Sequence, residues 1–292
     1  MPRSNALSVL TDQPALDAIA EPLSQAVRDA YASAGETGRQ LKNAAHGVWL
    51  GHPLHPVFTD LPIGAWTTAL ALDATAAATH DRGMARAASV AVGVGLIGAL
   101  GAAVSGLTDW SETSGQTRRT GLVHGLMNLT ATSLFAASYV LRKNRSRRRA
   151  ARSCSTIGYG IAMTAAYLGG NLVYDRRVGV THADVDLPDD FTPAAPSTAV
   201  ADGTMIRAHA GDADILLARQ HGHVCALVHS CTHMGGPLSE GTLKDRSVVC
   251  PWHGSEFALA DGTVLNGPAT QNQPCLAVRE SGGQIEVKAG SE

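Results

Sequence analysis

The chain has 292 residues, a formal net charge of −2 and only 16% charged residues, so it lacks the basic excess of a nucleic-acid binder and no nucleic-acid partner is expected. Apolar residues make up 45% of it but aromatic ones only 4%, the small-residue usage of closely packed membrane helices. Its length is enough for two domains, and the two halves are unlike in composition.

Met1 to Ala34 is largely polar and has no continuous apolar core, so no cleavable signal peptide is expected. Leu16, Ile19, Leu23, Val27 and Tyr31 recur at helical spacing. They predict an amphipathic helix between Ala15 and Ala34, packed on its own protein, within an N-terminal tail over residues 1–45. Four stretches nearly free of charge follow: Val57 to Thr79, Met84 to Leu107, Gly121 to Leu141 and Ser153 to Tyr174. Each is near or above the roughly 20 residues that cross a bilayer core as a helix. They show almost none of the polar stripe that helices of a soluble bundle carry. A four-helix transmembrane α bundle over residues 46–180 is therefore expected, in contact with a lipid bilayer.

Positive charge near helix ends sets orientation. The loop "RKNRSRRRAAR" has seven basic residues between Arg142 and Arg152, and Arg82 and Arg86 bring that side to nine. The opposite side has six: Arg39, Lys42, Arg118, Arg119, Arg176 and Arg177. The dense loop is placed in the cytoplasm of a bacterial cell, with both termini outside. Ser146-Arg147-Arg148-Arg149 is loosely similar to a twin-arginine export signal, as an exterior C-terminal domain would require.

Polar groups at membrane depth are costly and mark function. Threading four helices puts His52, His55, Asp109, Trp110, His124, Arg176 and His182 on one face, together with the C-terminal domain. His52, His55 and His124, with Asp60 or Asp109, could there ligate haem or a metal ion, or bind quinol. The competing reading is that the His-Pro pairs shape the start of the first helix and that His124 bonds between helices. Asp73 and Asn128, deeper in the helices, suit a proton path or interhelical hydrogen bonds. Gly93, Gly95, Gly98 and Gly101 read as close helix packing.

From Gly179 the composition changes. Pro188, Pro193 and Pro196 among acids and small residues predict an exposed linker over residues 181–195. Short alternating segments follow at Met205 to Ala208, Ile215 to Ala218, Val224 to Val228, Val248 to Cys250, Leu276 to Val278 and Ile285 to Val287. They predict a small all-β domain over residues 196–290. Between these strands lie "CTHMGGPL", with Cys231 and His233, and, with sixteen residues between His233 and Cys250, "CPWHGS", with Cys250 and His253. Two thiolates and two imidazoles suit zinc or iron. Structural zinc sites more often use Cys-x-x-Cys, and the glycines let backbone amides approach bridging sulfides, which zinc does not require. Cys154, Cys225 and Cys275 are expected as buried packing residues.

"CTHMGGPLSEG" and "CPWHGSEF", with "NGPAT" (Asn266 to Thr270) in the place of a proline-containing covering loop, resemble the Rieske iron-sulfur family over roughly Pro196 to Lys288. The resemblance implies a 2Fe-2S cluster, with Cys231 and Cys250 on one iron and His233 and His253 on the other. It also implies a potential of about −150 to +300 mV. Gly254, Ser255 and Pro268 would tune the cluster. Ser255 matches a donor hydroxyl of high-potential members, whereas Phe257 stands where those have a tyrosine. The paired cysteines of cytochrome bc-type members are replaced by Gly236 and Trp252. The site is thus closer to Rieske ferredoxins and oxygenase components, with a low or intermediate potential expected. No histidine follows His253, so the two-histidine, one-carboxylate iron of an oxygenase has no evident source there.

The helical half, with "WLGHPLHPVFTDLPIGAW" (Trp49 to Trp66), "SGLTDW", "HGLMNL" and "GGNLVYDRRVGV", resembles a bacterial four-helix membrane family of unknown function over Ala45 to Val180. The whole is expected to be a membrane-anchored carrier of single electrons, a component of an oxidoreductase system more than a complete enzyme. A redox protein partner would dock at His233 and His253, with quinol or haem in the membrane half as donor. A redox sensor or assembly factor, or a structural zinc module, is the alternative.

Overall fold

The computed structural model describes residues 11–290. The chain forms two compact units, Met1–Arg39 with Leu54–Arg176, and Gln40–Pro53 with Arg177–Glu292.

The first unit is helical. A turn at Pro14–Leu16 leads into α1 (Asp17–Ser33), followed by the start of α2 (Gly35–His46). Four long helices follow: α3 (Leu54–Thr79), α4 (Arg82–Ser111), α5 (Gly115–Leu141) and α6 (Arg148–Tyr174). Asp81 caps α4, its carboxylate accepting the Gly83 N–H at 2.6 Å. The predicted helix forms and packs on its own protein, but not through the whole apolar stripe: Ala20 and Ser24 are buried, while Ile19 and Leu23 are 59% and 42% exposed. Tyr31 meets Thr108 at 2.8 Å and Asp17 pairs with Arg119 at 2.8 Å.

The glycines of α4 are sockets for α3. A methyl on Gly95 would lie 2.2 Å from the Trp66 indole, on Gly98 2.5 Å from Leu61, on Gly101 2.5 Å from Phe58 and on Gly106 2.7 Å from His55. Side chains along one face of α3 thus seat against a bare face of α4, which brings the two backbones close. Gly93 differs: it faces Tyr139 of α5. Trp66 in turn stacks on Phe135 at 3.9 Å, at the centre of the bundle.

Among the described residues α4 is the one helix long and apolar enough, by length and composition, to cross a membrane. The expectation of four such helices is therefore met in helix number and position but not in apolarity. The acids Asp60 and Asp73 on α3, the arginines at the start of α5 and α6, and Asn128 on α5 dilute the other three.

The second unit is all-β apart from its Gln40–Pro53 segment. Among the described residues its strands are β1 (Thr192–Pro196), β2 (Thr204–Ala210), β3 (Ala213–Gln220), β4 (His223–Val228), β5 (Thr242–Leu243), β6 (Ser247–Val249), β7 (Glu256–Ala258), β8 (Val264–Asn266), β9 (Cys275–Ser281) and β10 (Gln284–Ala289). They make an antiparallel six-stranded sheet, ordered β1-β10-β9-β4-β3-β2, and a four-stranded one, β5-β6-β7-β8. β3 is buried on both faces. Ile215 and Leu217 enter one core with Val228, Ile285 and Val287, while Leu216 and Ala218 enter the other with Leu238, Val248 and Phe257. The second core also receives Cys231 and Cys250, so the ligand loops are anchored in apolar packing.

The linker expected over residues 181–195 is instead part of this unit. Thr192 to Pro196 pairs with β10, Ala183 is buried, Val185 and Leu187 pack on the first core, and Pro188 accepts the Ala289 N–H at 2.8 Å. The signal was the alternation Ala183, Val185, Leu187 with Asp184 and Asp186 between. The prolines and acids mask its period of two.

Candidate metal centre

Two loops carry the four candidate ligands, and they close in the same way. In the first, the Cys231 carbonyl accepts the Gly235 N–H at 2.9 Å and the Cys231 N–H donates to the Gly236 carbonyl at 2.9 Å. In the second, the Cys250 carbonyl accepts the Gly254 N–H at 3.1 Å and the Cys250 N–H donates to the Ser255 carbonyl at 2.8 Å. The glycine four residues after each cysteine has φ +77° in one loop and +75° in the other, a conformation that a side chain would strain. The histidine sits two residues after the first cysteine and three after the second. Even so, the rings meet edge to face with centroids 5.0 Å apart.

Each turn aims backbone amides at its cysteine. The N–H groups of His233 and Met234 point at the Cys231 sulfur, and those of Trp252 and His253 at the Cys250 sulfur. The two thiols are hydrogen-bonded to each other, which holds Cys231 far above the ordinary thiol range and brings Cys250 down to about 6. The pair therefore shares one proton, whose place a metal ion would take. Burial, reinforced by the charge of His253, His46, His182 and Lys42, keeps His233 neutral, well below the usual imidazole range. Its Nδ1 is buried with no hydrogen-bond partner. A buried imidazole nitrogen without a partner is costly unless a metal ion satisfies it. Among the described residues no three His, Cys, Asp or Glu side chains converge on a single ion. A cysteine pair beside a histidine pair suits two irons better than one zinc.

The surrounding residues refine this frame. Ser255 is fully buried, and its Oγ accepts the Ala269 N–H at 3.0 Å. That leaves the hydroxyl proton for another acceptor. Pro268, after a cis peptide bond, is buried in the covering loop. Gly254 supplies the turn and Phe257 only packing. A side chain on Gly236 would lie 2.7 Å from the Cys250 sulfur and 3.1 Å from Trp252, so the two positions do face each other. The three other cysteines are also free.

Gln273 escaped sequence analysis. Buried to 1% exposure, its amide donates to the Val228 and Ser230 carbonyls, both at 2.7 Å, and accepts the Thr232 N–H at 3.0 Å. It fastens the first ligand loop to the segment that follows the covering loop. Nothing in "QNQP" distinguishes it. Asn43, also missed, bonds Asn266 and Gly267.

The site expected from His52, His55, His124, Asp60 and Asp109 is only partly assembled. His55 and His124 lie edge to face at 6.4 Å. A carbonyl cannot donate, so the Nδ1–H of His55 donates to Ala102 and that of His124 to Ala165, both at 2.8 Å. Asn128 donates to the His124 Nε2 at 3.1 Å, which occupies its second nitrogen. Asp60 is exposed, and His52 belongs to the other unit, with its Nδ1 3.1 Å from the Pro53 carbonyl. His124 thus has both ring nitrogens engaged between helices, whereas His55 has a hydrogen bond recorded for its Nδ1 alone. Asp73 pairs in a bidentate fashion with Arg142, both 6% exposed.

Residues 190–278 match the Rieske [2Fe-2S] domain, and residues 51–182 match a predicted membrane protein family, DUF2231. The human protein named apoptosis-inducing factor 3 is 31% identical over 90 residues, 31% of this chain; the match spans only 15% of that relative's length. The 3-phenylpropionate/cinnamic acid dioxygenase ferredoxin subunit of Escherichia coli is 33% identical over 95 residues, 32% of this chain and 89% of that one. A solved ferredoxin of carbazole 1,9a-dioxygenase from Nocardioides aromaticivorans superposes with a TM-score of 0.33 at 18% identity, over 35% of this chain and all of that one. The chain therefore belongs, through residues 190–278, to the Rieske [2Fe-2S] family, with a domain of the predicted membrane protein family DUF2231 preceding it.

Proposed function

We propose that this protein is a membrane-anchored Rieske electron carrier, in which Cys231 and Cys250 hold one iron and His233 and His253 the other. The observation that carries the reading is the matched pair of closed loops. Two cysteines share a proton under four backbone amides, beside a neutral histidine whose Nδ1 lacks a partner. When bound, a cluster of this type takes up and gives up one electron at a time. The polypeptide keeps the sulfurs hydrogen-bonded, leaves His233 neutral and insulates both sulfurs in an apolar core. The E. coli relative is by name a dioxygenase ferredoxin subunit, which supports an electron-accepting protein as partner. Trp252, 57% exposed and edge-on to His253, marks the side from which that partner approaches.

The membrane reading rests on how the helical unit distributes its side chains. Ile97, Leu100 and Val90 of α4 are 72%, 67% and 66% exposed, and Leu129 and Val140 of α5 also face outward. Asp73, Ser105, Ser138 and Ser155 are buried among alanines and glycines. Apolar outside and polar inside is the arrangement that lipid favours, and it supports a four-helix membrane anchor. Electron paramagnetic resonance of the dithionite-reduced, detergent-purified protein tests the reading. A signal with average g below that of the free electron is expected, whereas a silent protein containing zinc overturns it.

A further inference from the structure

We propose that Asn43 is a positioning residue for the cluster's covering loop, and that Gln40–Pro53 forms a cap of the cluster unit contributed from more than two hundred residues upstream. This rests on the cluster-bearing reading above and deepens it.

The segment Gln40–Pro53 groups with Arg177–Glu292, although it lies in sequence between helices of the first unit. Asn43 uses both ends of its amide on the covering loop. Its Oδ1 accepts the Gly267 N–H at 3.0 Å and its Nδ2 donates to the Asn266 Oδ1 at 2.9 Å. One residue past the buried Pro268, the Ala269 N–H is accepted by Ser255 at 3.0 Å. The proline is thus held on one side by a residue of the cap and on the other by a residue of the second ligand loop. Both backbone donors flanking it are satisfied by side chains. Gly267 permits this approach: a methyl there would lie 3.0 Å from Val48 Cγ2 and 3.2 Å from the Asn43 Oδ1. His46, three residues after Asn43 on the same segment, is 2% exposed.

The geometry makes the cap part of the electronic environment. Hydrogen bonds and solvent access beyond the ligands set the potential and stability of such centres. Asn43 acts on both through the loop that Ser255 also holds.

The test uses the full-length protein in detergent, with three readouts: the g values of the reduced cluster, its midpoint potential, and the rate at which an iron chelator bleaches it. Asn43→Ala is expected to shift the g values and the potential and to speed bleaching about tenfold, the usual cost of losing an outer-shell partner. Asn43→Asp, which keeps the acceptor for the Gly267 N–H, should fall between. Leu41→Ala, at a side chain 58% exposed, should leave all three unchanged. Gly267→Ala should behave like Asn43→Ala, and adding Val48→Ala to it should restore most of the wild-type behaviour by removing the closest contact. If Asn43→Ala fails to assemble, the Gly267→Ala and Gly267→Ala/Val48→Ala pair decides. Wild-type values in both single variants, or no recovery in the double, overturn the proposal. A wild-type protein without the reduced-cluster signal overturns the reading beneath it instead.

Discussion

The two units differ in what they turn outward and in where they keep their ion pairs. The β unit is built as a protein in water is built, with Ile215, Leu217, Leu227, Ile285 and Val287 inside and its ion pairs, such as Arg207–Asp214, outside. The helical unit reverses this, enclosing the Asp73–Arg142 pair with Ser138 and Ser155 and turning Ile97 and Leu100 outward. The hydrophobic effect needs water on the far side of the surface, so the contrast fits two units made for different solvents.

The largest effect expected is at the sulfurs. Cys231→Ser and Cys250→Ser should each abolish the visible and resonance signals while leaving the helical unit intact by circular dichroism. Retention of either signal would remove the proposed ligand assignment. Next comes the buried ion pair. Arg142→Leu should destabilise the helical unit by up to about 3–5 kcal/mol, because it leaves buried Asp73 with only the longer contact to Arg152 at 3.9 Å, whereas Asp73→Leu/Arg142→Leu should recover most of the loss. Thermal unfolding in detergent compares the two, and equal losses would mean the charges do not act as a pair. Phe135→Ala, which removes the ring stacked on Trp66, should cost a similar ~3–5 kcal/mol.

Ile97→Lys tests the contrast itself. On a water-facing surface it should change stability by no more than about 0.5 kcal/mol, but within a bilayer an insertion assay should register a cost of about 2.5–3.5 kcal/mol. A neutral result would contradict the membrane reading of α4. Ser255→Ala should lower the midpoint potential, since one hydroxyl donor is lost and the Ala269 N–H loses its acceptor, and an unchanged potential would deny Ser255 a tuning role. The smallest effect concerns pH. Burial lowers His182, His229 and His233 below the usual imidazole range, so near the unfolded value of about 6.5 the unfolded chain binds more protons. The cluster-free β unit should therefore lose stability as pH falls through about 6.5, and denaturant midpoints that stay flat between pH 7 and 5 would refute this.

Some of this was readable from the chain alone. The ligand spacing, the strand alternation from Met205 onward, the amphipathic helix and the glycine face of α4 are local patterns. Each expresses a period or a turn fixed by backbone geometry, so no partner was needed to read it. The histidines of the helical unit show the limit. Residue type placed His55 and His124 as candidate ligands, and only the packed bundle showed their nitrogens bonded to Ala102, Ala165 and Asn128. The acids and prolines of residues 181–195 hid a strand for a related reason: composition averages over the alternation that burial selects.

Sequence by itself thus determined the family, the four candidate ligands, the two-part organisation and the number of long helices, because these follow from short-range spacing and composition. Tertiary structure alone decided that Gln40–Pro53 caps the cluster unit, that Gln273 and Asn43 hold its loops and that Asp73 is answered by Arg142. Those contacts join residues 41 to 224 positions apart, and no local rule of the chain specifies which distant polar group will satisfy a buried one.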